Sequence, residues 1–252
     1  MIKLEHTVLP SPDQMQFVIE GMRNPMNSWE KSDSVNCDTE CAICKYDSSG
    51  NCKKASWLIS DFGLGSNDYS LMKKLSQAGT DHRKFMRMMS VYVRITAPLY
   101  WWKEFDTYKV GTVANSCSTM HKIAEKEFTL DDFSCEHLNR IGTSFLWDTI
   151  DILNMVRSLY LKGGDYKGEH YDPKDKQVWW QMIQLLPSSY NQTRNVMLNY
   201  EVLSNMYHSR KNHKLDEWRE FCKWIEELPL CDLITHNMRK VSESDNRKDG
   251  NE

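Results

Sequence analysis

No stretch of this 252-residue sequence is apolar for the ~20 residues that a membrane helix needs, so no membrane partner is expected. Charge is not one-sided either. With 32 Lys and Arg against 35 Asp and Glu, the formal charge is -3, and no general nucleic-acid coat is expected. The opening MIKLEHTVLPSPDQ lacks the charged-then-apolar layout of a signal peptide, which points to a cytoplasmic protein. FGLGSND from Phe62 has neither the third glycine nor the strand-then-helix frame of a dinucleotide fingerprint, and no lysine for a P-loop. Nucleophile-elbow and zinc-protease motifs are also missing. These absences count against the common hydrolases and kinases. No internal repeat or low-complexity block is present.

What is present is enough apolar residue, 40%, to build a sizeable core. Nine Trp and fourteen Met are many for this length, and an aromatic core accounts for most of them. Along the chain, Asn67 to Gln77 reads as a short helix ended by Gly79, with a second beginning near Asp81. Thr143 to Leu161 is a strong helix with Leu146, Ile150, Leu153 and Leu161 among its apolar positions. GGDYKGEHYDPKDK from Gly163 reads as a solvated loop, and Val178 to Leu186 as an apolar helix stopped before Pro187. Gln192 to Arg210 is expected to be one long helix, and Leu215 to Leu228 another. The division expected is an N-terminal region 1–66, a core 67–238 and a polar tail 239–252. The fold class is α+β, a single domain with a central sheet and several long helices.

The most informative stretch is VYVRITAPLYWWKEFDTYKVGTVANSCSTM, from Val91 to Met120. Up to Thr96 it reads as a strand, which Ala97-Pro98 stops, with Pro98 as the first helical residue. The helix that follows mixes Leu99, Tyr100, Trp101, Trp102 and Phe105 with Lys103, Glu104, Asp106, Tyr108 and Lys109. A loop of hydroxyls and a thiol, from Gly111 through Asn115, Ser116, Cys117, Ser118 and Thr119, completes it. That order suits a polar ligand site and fills a core poorly. In the 192–210 helix, Glu201, Asn205, His208 and Asn212 form a polar stripe, which is either solvent-facing or functional. Val196, Tyr200, Leu203 and Tyr207 form an apolar one. Asn199 and Arg210 share a face with Val202 and Met206, so each needs a polar partner there. His82 and Arg83 stand just before the strand; His82 is either an acid–base group or a surface histidine.

Two segments resemble the flavin-dependent thymidylate synthases. Members of that family carry Ala-Pro after a strand, a helix ending in Arg-His-Arg, and a Ser seven residues on. Aligned on Ala97-Pro98, Thr107, Tyr108 and Lys109 stand under the triplet and Cys117 under the Ser. Members also carry Leu-Pro before an Asn-x-x-x-Leu-x-Asn helix that ends in Arg. Here the same order is Leu186-Pro187, Asn199, Leu203, Asn205 and Arg210. The resemblance covers about a quarter of the chain. It implies methylation at C5 of a dUMP-like pyrimidine nucleotide, with FAD, NADPH and methylenetetrahydrofolate. By the same resemblance, Cys117, Ser118 and Arg210 are catalytic, and Tyr108, Lys109, Asn199 and Asn205 hold flavin. Lys103, Glu104, Ser116 and Arg210 then meet the substrate, and a homotetramer with shared sites is implied. The alternative is a repurposed nucleotide-binding or assembly protein that keeps the fold without the chemistry. The changed triplet and the added Glu104 and Asp106 favour the alternative, while Asn199, Asn205 and Arg210 favour the methyltransferase.

Cys37, Cys41, Cys44 and Cys52 fall as C-x3-C-x2-C-x7-C within sixteen residues. In a cytosolic chain this spacing favours structural zinc, with an iron–sulfur cluster, a redox pair or unligated thiols as alternatives. The first three spacings match the radical-SAM motif, whose barrel the element pattern does not supply. Elemental analysis of protein purified without chelator should find about one zinc or iron per chain, as a four-thiolate site requires. Protein with neither metal would remove the metal reading.

Overall fold

The computed structural model describes residues 1–36, 57–59 and 62–236. The four clustered cysteines and the tail from 239 lie outside the described residues. The first half of the chain contains β1 (Lys3–Val8), α1 (Pro12–Arg23), β2 (Val35–Asn36), β3 (Trp57–Ile59), β4 (Phe62–Leu64) and α2 (Ser66–Gln77). Then come β5 (Ser90–Pro98), α3 (Leu99–Phe105), β6 (Val113–Ser116), α4 (Thr119–Lys122) and α5 (Arg140–Lys162). The last part holds β7 (Gly164–Tyr166), β8 (Glu169–Tyr171), α6 (Lys176–Leu185), β9 (Asn191–Asn199), α7 (Tyr200–Arg210), α8 (Asp216–Glu227) and α9 (Asp232–Thr235).

The central sheet is antiparallel in the order β1-β5-β9-β6. Strand β5 alternates as its β-branched sequence requires. Val91, Val93, Ile95 and Ala97 are buried, while Tyr92 and Arg94 are exposed. β9 faces it over the whole length, from Ser90 opposite Asn199 to Pro98 opposite Asn191, and buries Val196 and Leu198. The expected helix over 192–210 is therefore wrong in its first half. A strand long enough to satisfy both edges of β5 and β6 overrides a helical spacing that 192–199 shows only by coincidence. Strand β5 also runs through Pro98, which caps α3 rather than opening it. Residues 113–116, expected in a loop, are strand β6, and the loop at Gly163 folds into the β7–β8 hairpin. The helix expected near Asp81 is a turn followed by a short 3-10 segment, Lys84–Arg87.

One face of the sheet is covered by α1, α3, α7 and α8. The helix α3 was expected to make a poor core and instead supplies its centre. Trp101, Trp102 and Phe105 are buried, and Trp101 packs 4.9 Å from Trp218 and 5.7 Å from Phe221, ring centroid to centroid. Lys103 is exposed, while Glu104 accepts from the Nε1 of buried Trp218 at 2.8 Å. A second cluster joins α5 and α6 through Leu146, Ile150, Leu153, Val178 and Met182. Helix α1 begins at a capping box, Ser11 with Gln14, and buries Met15, Val18, Ile19 and Met22.

Asp68, at the start of α2, ties the chain before β2 to the core. Its carboxylate accepts from Arg23 Nε at 2.6 Å, Ser34 Oγ at 2.6 Å and Ser32 Oγ at 2.7 Å. Asp33 reciprocates by accepting from the backbone N–H groups of Asn67 at 2.9 Å and Asp68 at 3.1 Å. Gly65 allows that approach, since a Cβ there would lie 2.1 Å from Asp33 Oδ1. Burial alone would raise the Asp68 pKa. The hydrogen bonds from Ser34, Ser32 and Arg23 outweigh it and hold the carboxyl below the usual carboxylate range. Its contribution to stability is present above the ordinary Asp value and is lost as pH falls through the depressed one. Asp68→Ala leaves Arg23 buried without its carboxylate and should cost about 3–5 kcal/mol in urea unfolding. A loss below about 1 kcal/mol would show that the pair holds nothing together.

Candidate functional site

The residues singled out by the sequence gather in two places on one chain. The first is the end of β6. Ser116 pairs with Arg194 across the strands, and Cys117 donates its N–H to Thr193 O at 2.9 Å. Gln192 Nε2 donates to Cys117 O at 3.3 Å and to Thr119 Oγ1 at 2.9 Å. Ser118 caps α4 by accepting from the His121 N–H at 3.2 Å. Cys117 and Ser118 line a cavity of about 520 Å³ together with Thr96, Lys122, Asp132 and Tyr190. The Cys117 thiol is exposed to it. Lys122 pairs with Glu125 and Lys126 with Asp132, and Asp131 adds a further carboxylate to the cavity wall. Burial, then the charge of Asp132, raises the Tyr190 phenol pKa and keeps it a neutral donor.

The second place is the end of α7. Arg210 donates from Nε to Tyr108 Oη at 2.9 Å and from Nη1 to Glu104 Oε2 at 2.8 Å. Trp218 Nε1 donates to the same Glu104 oxygen at 2.8 Å, and His213 Nε2 lies 3.4 Å from it. The guanidinium also sits 4.9 Å from the Trp218 ring centroid. A cation amid apolar residues needs an acceptor, and here Glu104 is that acceptor. Thr193 and Asn199 stand at opposite ends of β9, roughly 20 Å apart along the strand. Cys117 contacts the first, and the Gly111 loop and Tyr108 lie toward the second.

Asn199 is not on a helix face but is the N-cap of α7. Its Oδ1 accepts from the Val202 N–H at 2.9 Å, and its Nδ2 donates to Gly111 O at 3.4 Å. Gly111 has φ +82, and a Cβ there would lie 2.8 Å from Asn199 Nδ2. Asn205 is exposed one turn further on, accepting from Arg83 Nη2 at 3.4 Å. Tyr108 and Lys109 lie in the turn after α3, not on a helix, and Lys103 and Lys109 are exposed without an ion pair among the described residues. His82 is exposed on its turn. Among the described residues no group of metal-ligating side chains forms a site. Cys222 and Cys231 are buried as expected, and Cys135 is half-buried.

Several participants carry no signal in the sequence. Glu201, placed in a polar stripe, is buried and pairs with Arg83, Nε to Oε2 at 2.8 Å. His208 and His236 stack with centroids 5.1 Å apart and planes 9° apart. His236 Nδ1 is buried without a hydrogen-bond partner among the described residues. The packing of α9 against α7 brings the two histidines together, and that of the Lys84–Arg87 segment against α7 brings Arg83 to Glu201.

No family model matches the chain, and no curated protein matches it in sequence. Solved structures do match. A crystal structure of thymidylate synthase X from Helicobacter pylori with FAD and dUMP superposes with a TM-score of 0.56 at 15% identity, covering 93% of this chain and 97% of that one. A second, the flavin-dependent thymidylate synthase of the same organism complexed with FAD and dUMP, gives 0.54 at 13% identity, covering 93% and 98%. The chain shares the fold of the flavin-dependent thymidylate synthases. At that identity the likeness concerns the backbone, and the site chemistry rests on the residues described above.

Burial first, then the charge of Lys211, holds the His208 pKa below the ordinary value. Burial, then His208 and Arg83, does the same for His236. A depressed histidine contributes stability that is present above the ordinary pKa of about 6.5 and is lost as pH falls toward the folded value. The melting temperature should therefore drop as pH is lowered from about 7 to about 5.5, and His208→Gln should flatten that slope. An unchanged slope in the variant would remove the pair from the titration.

Proposed function

We propose that this chain is a flavin-dependent methyltransferase acting at C5 of a dUMP-like pyrimidine nucleotide, in the manner of thymidylate synthase. The observation that carries the reading is the packing of the two resembling segments on each other. β6 pairs with β9, Asn199 reaches Gly111, and Arg210 reaches Tyr108. Flavin, when bound, supplies the hydride chemistry, and the protein supplies orientation and charge. The residues present fit a flavin in part. Asn205 is exposed, with its amide N–H groups uncommitted among the described residues, and Lys109 offers a point charge to phosphate. Asn199 has its carbonyl and one of its two amide N–H groups engaged inside the fold, which leaves one N–H for a flavin. Cys117 and Ser118, at the cavity, would face the base, with Ser116 beside them. NADPH and methylenetetrahydrofolate, as reductant and carbon donor, belong to the same proposal.

By the resemblance the site is shared between subunits, which requires a second copy. Helix α5 offers a surface for association, with Ile141 and Phe145 each 68% exposed and Ile152 and Met155 following on the same face. A homo-oligomer, tetrameric by resemblance, follows from this reading. Among the described residues no helix is long and apolar enough to cross a membrane.

The second reading, a repurposed binding or assembly protein, is favoured by one observation. Glu104 and Tyr108 already engage the guanidinium that the resemblance assigns to the pyrimidine. Titrations of FAD and dUMP separate the two. The methyltransferase reading expects yellow protein, saturable dUMP binding, and weaker dUMP binding by about tenfold or more in Arg210→Lys, which loses the planar fork. Colourless protein with no flavin binding in either redox state leaves the second reading standing.

A further inference from the structure

Arg83 lies before β5, outside both resembling segments, yet it reaches the helix that carries Asn205. Its Nε is 2.8 Å from Glu201 Oε2, and both side chains are largely buried. The alignment is poor: neither atom makes a hydrogen bond of good geometry, although the ion pair is close. A buried pair of this kind contributes little to stability, because desolvation offsets the attraction and an apolar pair of similar volume would serve as well. What the pair does accomplish is geometric. It plants the guanidinium beside α7, so that its outer Nη2 donates to Asn205 Oδ1 at 3.4 Å. Arginine has donors only, so the carbonyl end of the Asn205 amide must face Arg83 and the Nδ2 end must face solvent.

We propose that Arg83, fixed by Glu201, is a positioning residue that locks the Asn205 amide with both its N–H donors turned outward, so that this position accepts only a hydrogen-bond acceptor edge of the ligand. This inference rests on the flavin reading above and deepens it. The isoalloxazine ring presents such an edge in its carbonyl oxygens and unprotonated ring nitrogens. An amide locked in one orientation donates without first reorienting, so less freedom is lost when ligand arrives. The positive charge of Arg83 polarises the same amide, and strengthens the donor most toward a ligand edge that gains electron density on reduction. His208 on α7 and Lys211 just after it add no negative charge, and among the described residues Glu201 is the acid paired with Arg83.

The test is a double-mutant cycle read by flavin titration and by the reduction potential of the bound flavin. Arg83→Met in the parent should weaken FAD binding several-fold and lower the potential. In an Asn205→Ala background the same substitution should change neither, because its path to the ligand is gone. Arg83→Met leaves Glu201 buried alone, so the cycle is repeated with the paired change Arg83→Met/Glu201→Gln in place of Arg83→Met, the parent keeping Glu201. Arg83→Lys restores the charge without the outward-reaching fork, and binding is expected to stay weak. Additive effects of Arg83→Met and Asn205→Ala would overturn the positioning role while leaving the flavin reading intact. A parent protein that binds no flavin would overturn both.

Discussion

The pairing of β5 with β9 is the constraint on which the rest of the molecule depends. Nine consecutive residues of each strand face one another without interruption. Val91, Val93, Ile95 and Ala97 on one strand and Val196 and Leu198 on the other all point into the same core. A slip of one residue would turn every one of them toward water, so the register is held by burial as much as by backbone hydrogen bonds. Both segments that could build a site leave from this pair. β5 runs directly into α3, and β9 runs directly into α7. Once the register is set, the turn after α3 has to bring Gly111 to the end of β9, and the Asn199 cap closes that junction.

The strand at Val91, the helices α5, α6 and α8, and the broad α+β class are all legible in the sequence. Each shows its periodicity within its own length, which local reasoning can detect. The strand β9 is not legible, for a specific reason. Val196, Tyr200, Leu203 and Tyr207 repeat at helical spacing across a junction where strand becomes helix. Only the three on α7 make a helical face, while Val196 is buried by alternation in β9. The information that decides between the two lies a hundred residues away, in β5. The same holds for the site. That Arg210 needs an acceptor follows from its neighbours, but that the acceptor is Glu104 follows only from the fold.

Glu104 binds several elements of the fold together. One of its oxygens takes hydrogen bonds from both Arg210 and Trp218, and Tyr108 completes the ring around the guanidinium. The contacts join α3, the turn after it, α7 and α8 across the aromatic centre made by Trp101, Trp218 and Phe221. An arginine held this way is partly exposed but not idle. A ligand that uses it must either add to the ring of contacts or displace the carboxylate, and displacement would leave Glu104 facing Trp218 and His213 alone. Addition is the less costly course, since charged groups once desolvated are expensive to strand.

Hydrogen-bonding capacity then divides the labour along α7. A side-chain amide has an acceptor oxygen and two N–H donors, and Asn199 commits the oxygen to the first turn of the helix and one N–H to the Gly111 loop. Its loss would cost about 1 kcal/mol of capping and would loosen the loop that leads to β6, so it serves the scaffold whatever else the protein binds. Asn205, one and a half turns on, has committed its acceptor to Arg83 and has its donors in solvent. Arg210, at the last turn, is engaged on two of its nitrogens. The polar residues of α7 thus pass from mostly internal to partly available along its length. Among the described residues, Asn205 is where α7 leaves amide donors open to a ligand, beside a guanidinium already paired with Glu201.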